Sequence, residues 1–289
     1  MGTLVLYSAF NGLVEGVFYA LMALGLSLIL GLNGVINFAN GTFMALGAYV
    51  AFTIEPYVGF WGALVFAPLA ATALGIVTER LLIRPLYGRD PLFSLLLTFG
   101  LAMIMQDLIR TIWGAVGKPF GLPGFLNSPL SSTYFFLTGY RVFVIVLTLA
   151  VTGVLFAILR YSRIGIRIRA GNADLETIAS LGVNIFFLRA SNFGLGIFFA
   201  GLAGILAAGQ LGLSPTMGST LIMPAFVAII VGGVGSLVGS LLGGLIIGVA
   251  SGITAAFYPV AQEVVIYMIM ALVLIIRPRG LLGQEGLFE

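Results

Sequence analysis

The chain has 289 residues, 60% of them hydrophobic and only 8% charged, with a net charge of +3 and neither histidine nor cysteine. Roughly a quarter of an ordinary soluble domain is charged, so this composition excludes a water-covered globule and places the apolar excess against lipid. The missing residue types exclude Ser-His and Cys-His catalysis, His- or thiolate-ligated metals and disulfides. No cofactor is expected. Nucleic acid is set aside as a partner, because the basic residues follow membrane topology rather than a binding patch.

In chain order, nine apolar runs approach the roughly 20 residues that span a bilayer: 4–30, 35–54, 60–77, 92–113, 142–159, 190–211, 221–231, 237–256 and 264–276. The fold class predicted is all-α, a polytopic transmembrane helical bundle of about 8–10 spans with broken or re-entrant segments. A single transmembrane domain over residues 1–289 is expected. The first run follows no basic n-region and is too long for a cleaved signal peptide, so it is expected to stay as the first span. The seventh is short and reads as a half-helix or re-entrant segment.

Arginines orient the bundle. Arg80, Arg84 and Arg89 share one interruption, Arg160, Arg163, Arg167, Arg169 and Arg189 share a second, and Arg277 and Arg279 follow the last run, together 10 of the 13 basic residues. Positive charge marks the cytoplasmic side. Nine crossings then put the N-terminus outside and the C-terminus in the cytoplasm. Residues 114–140, rich in Gly, Pro and aromatics, read as the main external loop, with Phe135, Phe136 and Tyr140 expected at headgroup level. Glycine and other small residues recur every four positions at Gly235, Gly239 and Gly243, at Ser240, Gly244, Gly248 and Gly252, and at Gly196, Ala200, Gly204 and Ala208. That spacing lets helix backbones approach closely in lipid.

Three features stand out against this apolar background. Asn33, Asn37 and Asn40 lie between two apolar runs with Gly31, Gly34 and Gly41 around them. In a helix the three amides would share one face, and the segment reads either as a broken helix lining a cavity or as a polar turn. Glu15 falls inside the first run without a local partner, so it must be neutral, paired with another helix or facing water. Asp107 and Arg110, three apart in the fourth run, are expected to form a local ion pair. The third feature is the loop 160–189. Within it residues 174–183 have helix-like spacing, Leu175, Ile178, Ala179 and Gly182 falling on one side, and Asp174 and Glu176 suit a first helical turn. A short amphipathic helix there is either a docking element or part of a solvated loop held to anionic lipid. The chain has no GxxxxGK[ST] nucleotide motif, because its one lysine, Lys118, is followed by Pro119.

The run Asn11-Gly-Leu, Gly16, Tyr19-Ala-Leu-Met-Ala-Leu-Gly25, Gly34-Val-Ile-Asn-Phe-Ala-Asn-Gly41 and Leu46-Gly-Ala-Tyr49 resembles the N-terminal signature of branched-chain amino acid ABC transporter permeases of the LivH type. Glu79-Arg80, Arg84-Pro85-Leu86, Leu97-Thr-Phe-Gly-Leu101, residues 170–183, Gly232-Gly-Val-Gly-Ser236 and Arg277-Pro-Arg-Gly-Leu281 extend the resemblance over almost the whole chain, in order. The resemblance implies a multi-pass permease subunit of the bacterial inner membrane. Its partners would be a second, LivM-like permease, two cytoplasmic LivG/LivF-like ATPases and an extracytoplasmic solute-binding protein. It implies that residues 174–183 form a coupling helix seated on an ATPase, with contacts at Asp174, Glu176, Ala179, Leu181 and Gly182. The substrate pathway is expected at Asn33, Asn37 and Asn40, with Glu15. The family commonly has His and Glu where this chain has Asn40 and Thr42, and no acid at Glu15; urea or short-amide permeases of the same family are the alternative. An ATP-independent channel or secondary carrier is the rival of a different class.

Overall fold

The computed structural model describes residues 2–132 and 135–283; the side chains of residues 129–137 lie outside that description, and with them the headgroup placement expected for Phe135 and Phe136. Helix α1 (Gly2–Leu28) relaxes into one π turn, Ile29–Asn33, which ends at Gly34 in the left-handed conformation. Helix α2 (Ala39–Thr78) is broken at Gly59, whose φ of 71° and ψ of 171° no side-chain-bearing residue adopts cheaply. Pro56, three residues earlier, removes a backbone donor from the same turn. The two pieces, 39–58 and 60–78, are each about the length of one crossing. This is where the second and third apolar runs meet.

A π turn and a 3₁₀ turn, Glu79–Ile83 and Arg84–Leu86, lead to α3 (Pro91–Trp113), capped by the Asp90 carboxylate accepting from the Leu92 amide at 2.9 Å. Next come α4 (Gly124–Asn127) and a hairpin of β1 (Pro129–Ser132) and β2 (Phe135–Thr138), antiparallel with Pro129 opposite Thr138. This hairpin is the one departure from an all-α bundle among the described residues. The chain continues as α5 (Gly139–Tyr161), α6 (Arg163–Ala173), α7 (Leu175–Ser180), α8 (Ile185–Leu211), α9 (Met217–Gly232), α10 (Leu237–Phe257) and α11 (Gln262–Ile276). Among the described residues seven helical stretches are long and apolar enough to span a membrane, and α9 is apolar but shorter. The expectation of a polytopic helical bundle holds.

Burial separates core from periphery. The spanning window of α1 is 83% buried and that of α8 72%, against 17% for α3 and 6% for α11. α1 packs chiefly on α10, and α2 on α8. Small residues make both contacts possible: a Cβ on Gly248 would lie 2.2 Å from the Gly16 Cα, and one on Gly204 would lie 1.9 Å from the Met44 carbonyl oxygen. The two stripes of α10 serve different neighbours, Gly244, Gly248 and Gly252 meeting α1 while Gly239 and Gly243 meet α9. Gly235 lies in the turn before α10, not on its stripe.

The three arginine-bearing segments gather at one end of the bundle. The Arg84 guanidinium lies over the Phe186 ring at 3.8 Å and that of Arg189 over Tyr87 at 4.3 Å. Arg160 and Arg169 border one cavity together with Ser236, and the amides of Leu281 and Leu282 donate to the carbonyls of Val231 and Gly232 at 2.9 Å, a few residues before that serine. At the other end Lys118 and Leu213 exchange backbone hydrogen bonds of 3.0 and 2.8 Å. Tyr140 departs from expectation. It is buried and its hydroxyl donates to the Leu206 carbonyl at 2.8 Å, because α5 turns this face toward α8 rather than toward headgroups.

Candidate functional site

The break between α1 and α2 is held by a connected polar network. The Asn33 amide donates to the Tyr87 hydroxyl at 2.6 Å and to the Arg189 carbonyl at 3.1 Å, and its oxygen accepts from Asn192 at 2.8 Å. Asn192 also donates to the Leu28 carbonyl at 2.6 Å, satisfying an acceptor at the point where the α ladder changes to π. Tyr87 in turn donates to Glu79 at 2.8 Å. Burial, with the Glu79 charge adding to it, pushes the Tyr87 phenol above its ordinary range, so it keeps the proton that this bond requires. Asn192 was not singled out from sequence, although an amide inside the run 190–211 carried the same signal as the asparagines that were.

Asn37 and Asn40 are fully buried, and neither amide has a hydrogen-bond partner. Thr98 on α3 staples the extended stretch before them, its hydroxyl donating to the Ile36 carbonyl at 3.0 Å while accepting from the Phe38 amide at 3.2 Å. The segment is a broken helix, as expected, so the three asparagines do not share one helix face. Asn33 ends the π turn, residues 34–38 are not helical and Asn40 lies in the first turn of α2, so no single helix carries them. Glu15 is half-buried within α1, and one of its carboxyl oxygens is buried without a partner.

A lateral cavity of about 620 Å³ opens beside this segment, within the roughly 300–1,000 Å³ usual for small-molecule sites. Its walls come from the start of α2, the C-terminal half of α3 and the start of α9, with Phe38, Thr42, Phe99, Asp107, Arg110 and Ser219 among the lining residues. None of the three asparagines lines it. α2 and α9 touch here because Gly41 and Gly218 have no side chains; a Cβ on Gly41 would stand 2.4 Å from the Gly218 carbonyl oxygen. The ion pair expected between Asp107 and Arg110 is absent. No contact within 4.0 Å joins them, and both are exposed, since the peripheral position of α3 leaves their charged heads on its open side. A second cavity, of about 730 Å³, lies at the arginine-rich end and is bordered by Ser27, Arg160, Arg169, Asn172 and Ser236.

The loop 160–189 folds into two helices. In α6 only Gly165, Ile168 and Gly171 are buried, and its arginines Arg163, Arg167 and Arg169 are exposed. In α7 the Asp174 carboxylate accepts from the amides of Glu176 and Thr177 at 2.9 and 3.0 Å and from the Thr177 hydroxyl. These bonds hold its pKa below the ordinary 3.8, the Thr177 hydroxyl contributing most. Ile178 anchors α7 to the bundle. Asp174, Glu176, Ala179, Leu181 and Gly182 all face away, Leu181 with 77% of its surface exposed beside left-handed Gly182. The one-sided grouping of Leu175, Ile178, Ala179 and Gly182 is therefore corrected: Ala179 and Gly182 belong to the outward surface.

Apolar helices seamed by small residues, a chain broken within the apolar zone and charged groups bordering a lateral cavity define a polytopic helical membrane protein. The comparison with known proteins makes this specific. Residues 8–275 match the family described as branched-chain amino acid transport system / permease component, and the chain belongs to that family. It is 32% identical to the high-affinity branched-chain amino acid transport system permease protein LivH of Salmonella typhimurium over 96% of both chains. To BraD of Pseudomonas aeruginosa, described in the same terms, it is 32% identical over 95% of this chain and 94% of that one. To LivM of Escherichia coli it is 29% identical over 75% of this chain and 57% of that one.

Proposed function

We propose that the chain is one of two permease subunits of an ATP-binding-cassette importer for branched-chain or related amino acids. Solute reaches it from an extracytoplasmic binding protein, and energy comes from two separate ATPase subunits, this chain having no nucleotide motif of its own. The arginine-rich end faces the cytoplasm, with the N-terminus outside and the C-terminus inside, as positive-inside topology requires. The observation that carries the reading is α7: a capped, six-residue helix that turns Glu176 and Ala179, and Leu181 just after it, outward at that end, anchored by Leu175 and Ile178. An exposed knob of this kind, rooted in the loop before α8, suits a groove on a soluble partner.

Asn37, Asn40 and Glu15 are assigned to the pathway because buried polar atoms without partners are costly, and are retained where water or solute reaches them in another state of the cycle. Asn33, with Asn192, is assigned to keeping the helix break in shape. The test is ATP-dependent leucine uptake in proteoliposomes holding both permeases, both ATPases and the binding protein, with Glu176→Arg and Gly182→Trp in this chain. Uptake should fall at least about tenfold with ATPase subunits lost or hydrolysis uncoupled. ATPases that co-purify while uptake stays intact would refute the docking role, and leucine flux through this chain alone would refute the importer.

A further inference from the structure

The Asp107 and Arg110 side chains lie three residues apart on α3, so their Cβ atoms stand on the order of 5–6 Å from each other. They do not pair, both are exposed, and both border the lateral cavity with Gln106 and Ser219. Arg110 lies in the last turn of α3 and Asp107 one turn before it, toward the helix end at which an ionised head group is least costly. Around them α3 exposes Phe99, Met103, Ile104 and Leu108, and the facing wall offers Phe38, Ile222 and Met223. Two opposite charges that are not paired with each other, beside an apolar wall, are the complement of an amphipathic zwitterion.

We infer that this cavity is the solute subsite of the permease: Arg110 takes the carboxylate of an aliphatic α-amino acid, Asp107 its ammonium, and the apolar wall its side chain. The inference rests on the importer reading and names the site that reading lacks. A single carbon bearing both an ammonium and a carboxylate can neutralise both charges, whereas urea or a short amide could hydrogen-bond to both groups but neutralise neither. Gln106 and the Ser219 hydroxyl supply neutral hydrogen bonds that suit either head group. The buried Asn37 and Asn40 lie outside this subsite and are assigned to a later point of the route.

The experiment uses the complete complex in proteoliposomes, with Asp107→Asn and Arg110→Gln made separately. Each should lower leucine uptake at least about tenfold, since one charge-assisted contact is lost. Assembly of the two permeases and ATP hydrolysis stimulated by the loaded binding protein should remain. Thermal melting of the complex without the binding protein gives a second readout. Leucine should raise the melting temperature of wild type while leucinamide, lacking the carboxylate, and N-acetylleucine, lacking the ammonium, should not; Arg110→Gln should lose the discrimination against leucinamide, and Asp107→Asn that against N-acetylleucine. Unchanged uptake in both variants would overturn the subsite. Loss of the second permease from either variant would also overturn it, assigning the charges to the subunit interface. A wild-type complex that fails to import leucine with ATP defeats the importer reading itself, a result distinguishable from either.

Discussion

Replacing Asn33 by leucine, a side chain of similar size, separates framework from pathway. It deletes the bonds to Tyr87, Arg189 and Asn192. Tyr87 keeps Glu79, Asn192 keeps the Leu28 carbonyl and the Arg189 carbonyl keeps its place in the α8 ladder, but one Asn192 N–H loses its partner. A buried group left without a partner costs about 1–3 kcal/mol, whereas side-chain hydrogen bonds inside membranes average nearer 0.6 kcal/mol. Together these put the loss at about 2–4 kcal/mol. At roughly 2–4 °C per kcal/mol for a chain of this size, the melting temperature in lipid nanodiscs should fall by roughly 4–16 °C. Asn37→Leu is the control: its amide has no partner to lose, so melting should hold or rise while leucine uptake falls. An Asn33→Leu protein melting within about 1 °C of wild type, or an Asn37→Leu protein destabilised as much, would refute this division.

Two further predictions concern packing and the docking helix. Gly248→Leu forces a Cβ to within 2.2 Å of the Gly16 Cα and 2.5 Å of the Gly12 carbonyl oxygen, backbone atoms that can yield only if α1 and α10 separate. Size-exclusion profiles should show loss of the monodisperse species, whereas Gly153→Ala, whose new methyl meets nothing within 4 Å, should be indistinguishable from wild type. For α7, the Asp174 carboxyl is held below its unfolded pKa, so its contribution is fully present above 3.8 and is lost as pH falls through the lower folded value. Hydrogen exchange at the Glu176 and Thr177 amides should therefore be pH-insensitive in protection from about pH 5 to pH 8 and accelerate relative to neighbours only in strong acid. Asp174→Asn, which keeps the acceptor and drops the charge, should remove that acid-induced loss.

Local chemistry explains which parts were readable in advance. The cap at Asp174 and the apolar spacing of Leu175 and Ile178 announced α7 within a few residues. α6 was missed because its buried stripe is Gly165, Ile168 and Gly171, and glycine gives no hydrophobic period to detect. The Gly31 to Gly41 segment was legible as a break, since glycine and asparagine interrupt an apolar run. Its bonds were not legible, because Asn33 reaches Tyr87 and Arg189, 54 and 156 residues away. Tyr140 failed for the same reason: its acceptor at Leu206 is 66 residues distant.

Composition and charge alone determined that the chain lives in a bilayer, where its helices run and which segments share one end, because lipid admits few polar groups and sorts arginines by side. The family was equally legible, in motifs spread along the chain. Only the tertiary structure decided what each buried polar residue faces. Sequence spacing allowed Asp107 and Arg110 to pair with each other, but in the structure they stand unpaired beside an open cavity whose walls come from α2, α3 and α9. A helix specifies which residues share its side. What lies opposite that side is set by helices brought together across long stretches of chain, through packing that no local pattern encodes.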